Sequence, residues 1–465
     1  MKNRRFKEFM VLVLSAALTF SCAQEDTESL GQAEIYLKYY GSDRAEVFFD
    51  MIRTGNDDPS TPEVNEAGFI MLGSTSNTLD GSRDILLVGA DYAGNRTWQI
   101  QYDNFTGDDV PSNLRLSSDS TRVYVVGTAN FNTDDESFLF IDADVSNGVA
   151  NSIFRVQYDD TRININNPGT EVPDTVRTRG ADVIELDNSF LFLGSAQTGT
   201  EYRSDVNNYS VLVFSLDIDT YDTTMFWPDL PLRIDDIDGS NSGNDFGVKL
   251  NTDEEKYFYL AKSEDPTDGL ISKVMINNVD LESGQAEADA PRFGISGTNV
   301  TPTNFIINNQ NLVVTGTAGA NLSERAFFLA VNKSLTNTDE QVILVEDPNQ
   351  DVAGDGSLDG LEGSKGQDIV RLRNGDYYII GQFNNYTNEF GVLKQNEIAL
   401  IRVDDLGNVI PEGIRVFGSD GNDQGNAILL DGADEDVIIG ATMDFGGVAT
   451  MLALMKTNVN GELKD

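Results

Sequence analysis

Beyond its first thirty residues the chain has no long amphipathic stretch. Apolar positions come in runs of four to eight, mostly β-branched or aromatic, separated by Gly, Asn and Asp. That is the texture of short strands joined by tight turns. One run recurs and closes on glycine: residues 69–73, 123–127, 191–194, 312–316, 377–381 and 437–440, with 257–261 a seventh copy in which Ala261 replaces the glycine. Successive copies end 54 to 67 residues apart. A shorter apolar stretch precedes each run, as at 183–186, 369–372 and 427–430, and a further strand follows it, at 85–88, 138–141, 211–216, 271–276, 327–331, 398–403 and 451–455. A polar turn such as Asp91-Tyr92-Ala93-Gly94-Asn95 then leads to another strand, for example 97–102, 153–158 or 414–417. Four strands repeated seven times predict an all-β fold, a seven-bladed β-propeller of four-stranded blades. A sandwich array or a solenoid is the rival, and a sandwich would not keep a four-strand unit in register seven times.

The last unit stops one strand short at Asp465, while residues 35–40 precede Gly41-Ser42-Asp43 just as 414–417 precede Gly418-Ser419-Asp420. The N-terminal strand is therefore expected to complete the seventh blade and close the ring, leaving no open edge there. The propeller is assigned to residues 34–465.

Residues 1–21 read as an export signal. Lys2, Arg4, Arg5 and Lys7 precede an apolar run at 9–20 that is too short to span a bilayer. The run ends in Thr19-Phe20-Ser21-Cys22, which resembles a bacterial lipobox; Cys22 is the only cysteine and the expected lipidation site. An ordinary secretory signal with an incidental thiol is the alternative. Ala23-Gln24-Glu25-Asp26 resembles the acidic signal that sends lipoproteins of Bacteroidota to the outer face of the outer membrane. Residues 22–33 would then be a tether, and the expected location is the outer membrane, lipid-anchored and facing the exterior, with a periplasmic address the alternative.

Composition narrows the chemistry. The chain has 32 basic and 76 acidic side chains and no histidine, a net charge of -44; without residues 1–21 it has 28 against 75, or -47. The absence of histidine removes His-based nucleophile activation and His-ligated metals. The charge repels phosphate backbones, so no nucleic-acid partner is expected.

The units resemble propeller repeats of secreted and surface lipoproteins of Bacteroidota. The stretch from Gly421-Asn422-Asp423 to Asn460-Gly461, through Leu454-Met455-Lys456-Thr457, carries the likeness best, and it extends over about residues 35–465. The resemblance implies a fold and hardly any activity, because propellers host many functions.

Strand alternation puts the longer connections on one face: residues 75–84, 159–180, 195–209, 346–366 and 382–396. Their aromatics Tyr202, Tyr209, Phe383, Tyr386 and Phe390 are candidate binding residues, able to stack on sugars or anchor a protein; packing within the loops is the plainer role. Residues 351–362 read DVAGDGSLDGLE and fit a calcium loop at Asp351, Asp355, Gly356, Ser357 (through its carbonyl), Asp359 and Glu362, with Ala353 the mismatch. Calcium is thus the candidate cofactor. Asp236, Asp238, Asn241 and Asp245 form a less complete acidic set. Asp43, Asp109, Asp245 and Asp423 fall in corresponding turns near the channel mouth, where they could form a partial carboxylate ring, although such residues mostly accept hydrogen bonds from their own turns. Asp119-Ser120-Thr121, Asp174-Thr175-Val176 and Asp222-Thr223-Thr224 resemble the O-glycosylation acceptor of Bacteroidota. The expectation is a non-catalytic surface lipoprotein that interacts with an outer-membrane barrel protein. The alternatives are a glycan-binding accessory of a nutrient-uptake system and a carboxylate-based carbohydrate-active enzyme.

Overall fold

The computed structural model describes residues 35–463 except 43, 56–67, 77–80, 104, 106, 160–161, 167–176, 198–208, 222, 226–243, 266–270, 280–289, 320–323, 336–341, 346–362, 385–395, 433–434 and 447–448. The described strands form seven antiparallel sheets. After β1 (Tyr36–Tyr40), blade one is β2 (Glu46–Thr54), β3 (Gly68–Ser76), β4 (Arg83–Asp91) and β5 (Arg96–Tyr102). Blade two is β6 (Val110–Leu116), β7 (Arg122–Ala129), β8 (Ser137–Asp144) and β9 (Ala150–Asp159), with β10 (Arg162–Asn166) added at its edge. Blade three is β11 (Thr178–Glu185), β12 (Ser189–Gln197), β13 (Tyr209–Asp217) and β14 (Thr223–Met225). Blade four is β15 (Asp245–Thr252), β16 (Tyr257–Asp265), β17 (Ile271–Val279) and β18 (Arg292–Phe293). Blade five is β19 (Val300–Asn308), β20 (Asn311–Ala318), β21 (Arg325–Asn332) and β22 (Ile343–Leu344). Blade six is β23 (Ser364–Arg371), β24 (Tyr377–Asn384), β25 (Asn396–Val403) and β26 (Val409–Phe417), and blade seven is β27 (Gln424–Asp431), β28 (Asp436–Asp444) and β29 (Thr450–Thr457).

The seventh blade is completed by β1, which pairs antiparallel with β29 from Tyr36↔Lys456 to Tyr40↔Leu452. The repeated motif holds in detail. Ser42 donates from its backbone N–H to Glu46 Oε1 at 3.0 Å, and Ser419 donates likewise to Asp423. First strands of successive blades lie side by side, and β27 lies against β2, so the ring is closed. The protein is a seven-bladed β-propeller.

Seven apolar clusters hold it together, one at each blade junction. Middle strands feed two of them at once. In β8, Phe138 and Phe140 face the core shared by blades two and three, while Leu139 and Ile141 face that of blades one and two. Burial on both faces explains why these runs are continuously apolar rather than alternating. The recurring glycine has a steric cause: a methyl group on Gly127, Gly194, Gly316 or Gly381 would overlap the carbonyl oxygen of Val110, Arg179, Thr301 or Lys365 on the first strand of its own blade. In blade seven the Phe48 ring fills the space beside Gly440.

One expected loop is partly a strand. Within 159–180, β10 pairs with β9 from Arg162↔Asp159 to Asn166↔Arg155. Its alternating RININ sequence is the period-two signal of a strand.

Candidate functional site

Every first strand carries an irregularity at the same place, where two residues oppose one: between Phe48 and Asp50, Pro111 and Asn113, Gly180 and Asp182, Gly247 and Lys249, Pro302 and Asn304, Gly366 and Asp368, and Gly425 and Ala427. Such bulges re-aim side chains. Here they set a belt of Asp50, Asn113, Asp182, Lys249, Asn304, Asp368 and Ala427 around the axis.

Three carboxylates of the belt staple one blade to the next. The Leu114 N–H donates to Asp50 Oδ2 at 3.0 Å, the Leu250 N–H to Asp182 Oδ2 at 2.8 Å and the Ile428 N–H to Asp368 Oδ2 at 2.9 Å. The other oxygen of each accepts the N–H of the following residue, Met51, Val183 or Ile369, at 2.7 to 2.9 Å. Arg115 spans further, donating from Nε to Asp182 Oδ1 at 3.0 Å and from Nη2 to the Leu250 carbonyl at 2.6 Å. Lys249 of blade four reaches Asn113 Oδ1 of blade two at 2.9 Å and lies 3.8 Å from Asp50 Oδ2 of blade one. Asn304 donates to Asp368 Oδ1. Desolvation pushes the Asp368 carboxyl up to about 6, against the pull of Lys249 and the Ile428 N–H.

Beside the belt lies a cavity of about 450 Å³, walled by six of the seven blades. Five belt residues, among them the charged Asp50, Lys249 and Asp368, line it together with the neutral polar Ser112, Thr303, Gln367, Gln424 and Asn426 and with Phe49.

The acidic turn residues lie elsewhere. Asp109, Asp245 and Asp423 come four residues before their belt positions and are buried. Glu46 holds that place in blade one by register, three residues on from Asp43, which lies outside the described residues. Asp109 accepts the Asn130 N–H at 3.2 Å and Asp423 that of Asp444 at 2.7 Å, each from a residue 21 positions on, and Asp423 also accepts the Ser419 N–H of its own turn. Burial raises the Asp109 carboxyl to about 7.

Of the five loop aromatics, two are described. Tyr209 is 7% exposed: its hydroxyl donates to Glu136 Oε1 at 2.8 Å and its ring stacks under the Arg179 guanidinium at 4.7 Å. Arg179 also sits 4.8 Å from the Phe131 ring and pairs with Glu136 at 2.6 Å. Phe383 is 5% exposed and belongs to the core between blades five and six. Neither ring has an open face, because strands β13 and β24 begin and end further into the expected loops and draw these aromatics inward. The expectation of a solvent-facing platform is corrected at these two positions. Tyr202, Tyr386, Phe390, Cys22 and the calcium-loop residues Asp351, Asp355, Ser357, Asp359 and Glu362 lie outside the described residues. Among the described residues, no group of three or more acidic side chains is arranged to hold a metal ion.

Sequence reasoning missed the belt. Its signal was present: in six blades the belt residue stands twelve to fourteen positions before the end of the recurring apolar run, and in blade one the segment 53–67 lengthens that interval.

No protein-family model matches the chain, and no curated protein matches it. Solved structures similar to it include a protein of unknown function from Dyadobacter fermentans, 12% identical with a TM-score of 0.46, covering 79% of this chain and 97% of that one. The β-propeller domain of the Trilobed protease from Pyrococcus furiosus is 11% identical with a TM-score of 0.39, covering 94% and 97%. The Trypanosoma rangeli sialidase in complex with sialic acid is 11% identical with a TM-score of 0.40, covering 80% and 56%. These are likenesses of fold.

Proposed function

We propose that the protein is a non-catalytic binding module, tethered through Cys22 to the outer face of the outer membrane, whose partner is an outer-membrane barrel protein. What supports the non-catalytic reading is the use of the belt carboxylates: Asp50, Asp182 and Asp368 each accept an N–H from the neighbouring blade. A carboxylate held that way is a poor proton shuttle, since each proton it took up would remove the charge assistance from a bond between blades. The short segment between Cys22 and β1 supports a partner in the membrane plane, because tethering raises the local concentration of membrane neighbours. Gentle detergent extraction followed by affinity purification tests this. The wild type is expected to bring down a barrel protein in stoichiometric amount, and a Cys22→Ser variant to leave the membrane fraction. Recovery of the protein alone, or a Cys22→Ser variant that stays membrane-bound, would refute the reading.

A second reading, a glycan-binding accessory role, is favoured by the amide and hydroxyl lining of the central cavity.

A further inference from the structure

We infer that the central cavity is a binding site for a neutral saccharide, one or two sugar rings in size, held chiefly by Gln367 and Gln424. The inference rests on the glycan-binding reading and is independent of the membrane address.

Charge is largely spent before any ligand arrives. The three belt carboxylates accept backbone N–H groups from two directions, and Lys249 is drawn to Asn113 and Asp50. Ser112 and Thr303 donate to the carbonyls of Gly180 and Gly366. Asn426 accepts from Thr442 through Oδ1, which leaves its amide nitrogen unused. The side-chain amides of Gln367 and Gln424 make no hydrogen bond among the described residues, although both residues line the cavity from adjacent blades. Two complete amides, each able to donate and accept, are therefore held on a rigid wall with nothing to bind. Phe49 also lines the cavity, from blade one, where it packs against the core between blades one and two. Paired amides suit a ligand dense in hydroxyls, and the charged groups of the lining are already engaged, Asp50 and Asp368 by two backbone N–H groups each and Lys249 by Asn113 and Asp50. The volume of about 450 Å³ lies within the ordinary range of small-ligand sites.

The test is isothermal titration of the full-length mature protein with N-acetylglucosamine, galactose, fucose and tetra-alanine, beside a Gln367→Ala/Gln424→Ala double variant. Because neither amide bonds to the protein, the double variant should keep the wild-type melting temperature within about a degree. At least one sugar should bind the wild type, with affinity falling tenfold or more in the double variant. Sugar binding or polysaccharide retention that survives the double substitution overturns this site and leaves the glycan reading standing. If no sugar binds and no polysaccharide retards the protein, both fail. Gln-dependent binding of tetra-alanine alone would assign the cavity to peptides and overturn the saccharide class.

Discussion

Ring closure concentrates on one buried ion cluster, and substituting its members should give unequal losses. Lys456 on β29 is 1% exposed; its Nζ lies 2.5 Å from Asp431 Oδ2, 3.6 Å from Asp436 Oδ2, 2.9 Å from the Tyr92 hydroxyl and 4.4 Å from the centre of the Tyr92 ring. Arg53 of blade one approaches Asp431 Oδ1 at 2.5 Å. Blade seven thus supplies Asp431, Asp436 and Lys456, while blade one supplies Arg53 and Tyr92. Removing one partner of a buried pair costs about 3–5 kcal/mol, chiefly because a charge is left uncompensated. In Asp431→Asn, Lys456 loses its nearest carboxylate and keeps the Tyr92 hydroxyl and the more distant Asp436, and the Arg53 contact to Asp431 is lost with it, so a loss of ~3–5 kcal/mol is expected. In Lys456→Met, Asp431 still has Arg53, and the methionine stem fills much of the lysine's volume, so the loss should stay below about 2 kcal/mol. For a ring of roughly 430 residues the unfolding entropy is about 0.9 kcal/mol/K, which converts these losses to drops of about 3–5 °C and under about 2 °C. Differential scanning calorimetry at pH 7 measures both. A Lys456→Met loss equal to or larger than that of Asp431→Asn would refute the account of which charge is left stranded.

The remaining predictions concern other parts of the ring. Asp109 has its carboxyl raised by burial to about 7 from an ordinary 3.8, so the stability it offers is full below about pH 4 and is lost as pH rises through about 7. Asp109→Asn should therefore raise the melting temperature at pH 8, by at most the equivalent of ~4 kcal/mol, with the gain fading to nothing near pH 4; a gain that does not vary with pH would refute the assignment. Deleting residues 32–41 removes β1 and the Tyr40 hydroxyl bond to the Gly94 carbonyl, and should lower the melting temperature markedly; unchanged stability would mean that β1 does not hold blade seven. If residues 351–362 bind calcium, calorimetry in millimolar calcium should separate wild type from Asp355→Ala, and superimposable traces would dismiss the motif.

The blades were legible because their middle strands are apolar on both faces and end in a glycine that steric contact demands; the two signals repeat together. The closing strand was legible through Gly41-Ser42 and Gly418-Ser419, whose serines make matching bonds. The belt was hidden because first strands are short of apolar residues and contain a bulge, which shifts the side-chain alternation by one residue midway along each strand. Loop aromatics misled for a related reason. Tyr209 and Phe383 stand at strand ends, where the polar sequence beside them resembles loop although the rings pack inward.

The order of residues around the belt follows from electrostatics once the bulges align it. In sequence it runs Asp50, Asn113, Asp182, Lys249, Asn304, Asp368, Ala427 and back to Asp50, and no two carboxylates are neighbours. Each staple needs an acceptor on one blade and a free N–H on the next, so a carboxylate followed by a neutral or cationic residue satisfies the bond without placing like charges side by side. Strict alternation cannot close on seven blades, since an odd ring must somewhere set two non-carboxylates together. That place is Lys249 and Asn304, in blades four and five. There Lys249 turns across the channel toward Asn113 and Asp50, and Asn304 turns toward Asp368. The mismatch imposed by the odd blade number thus supplies the donors that tie the carboxylates together across and around the channel, while the adjoining wall keeps the amides of Gln367 and Gln424 free.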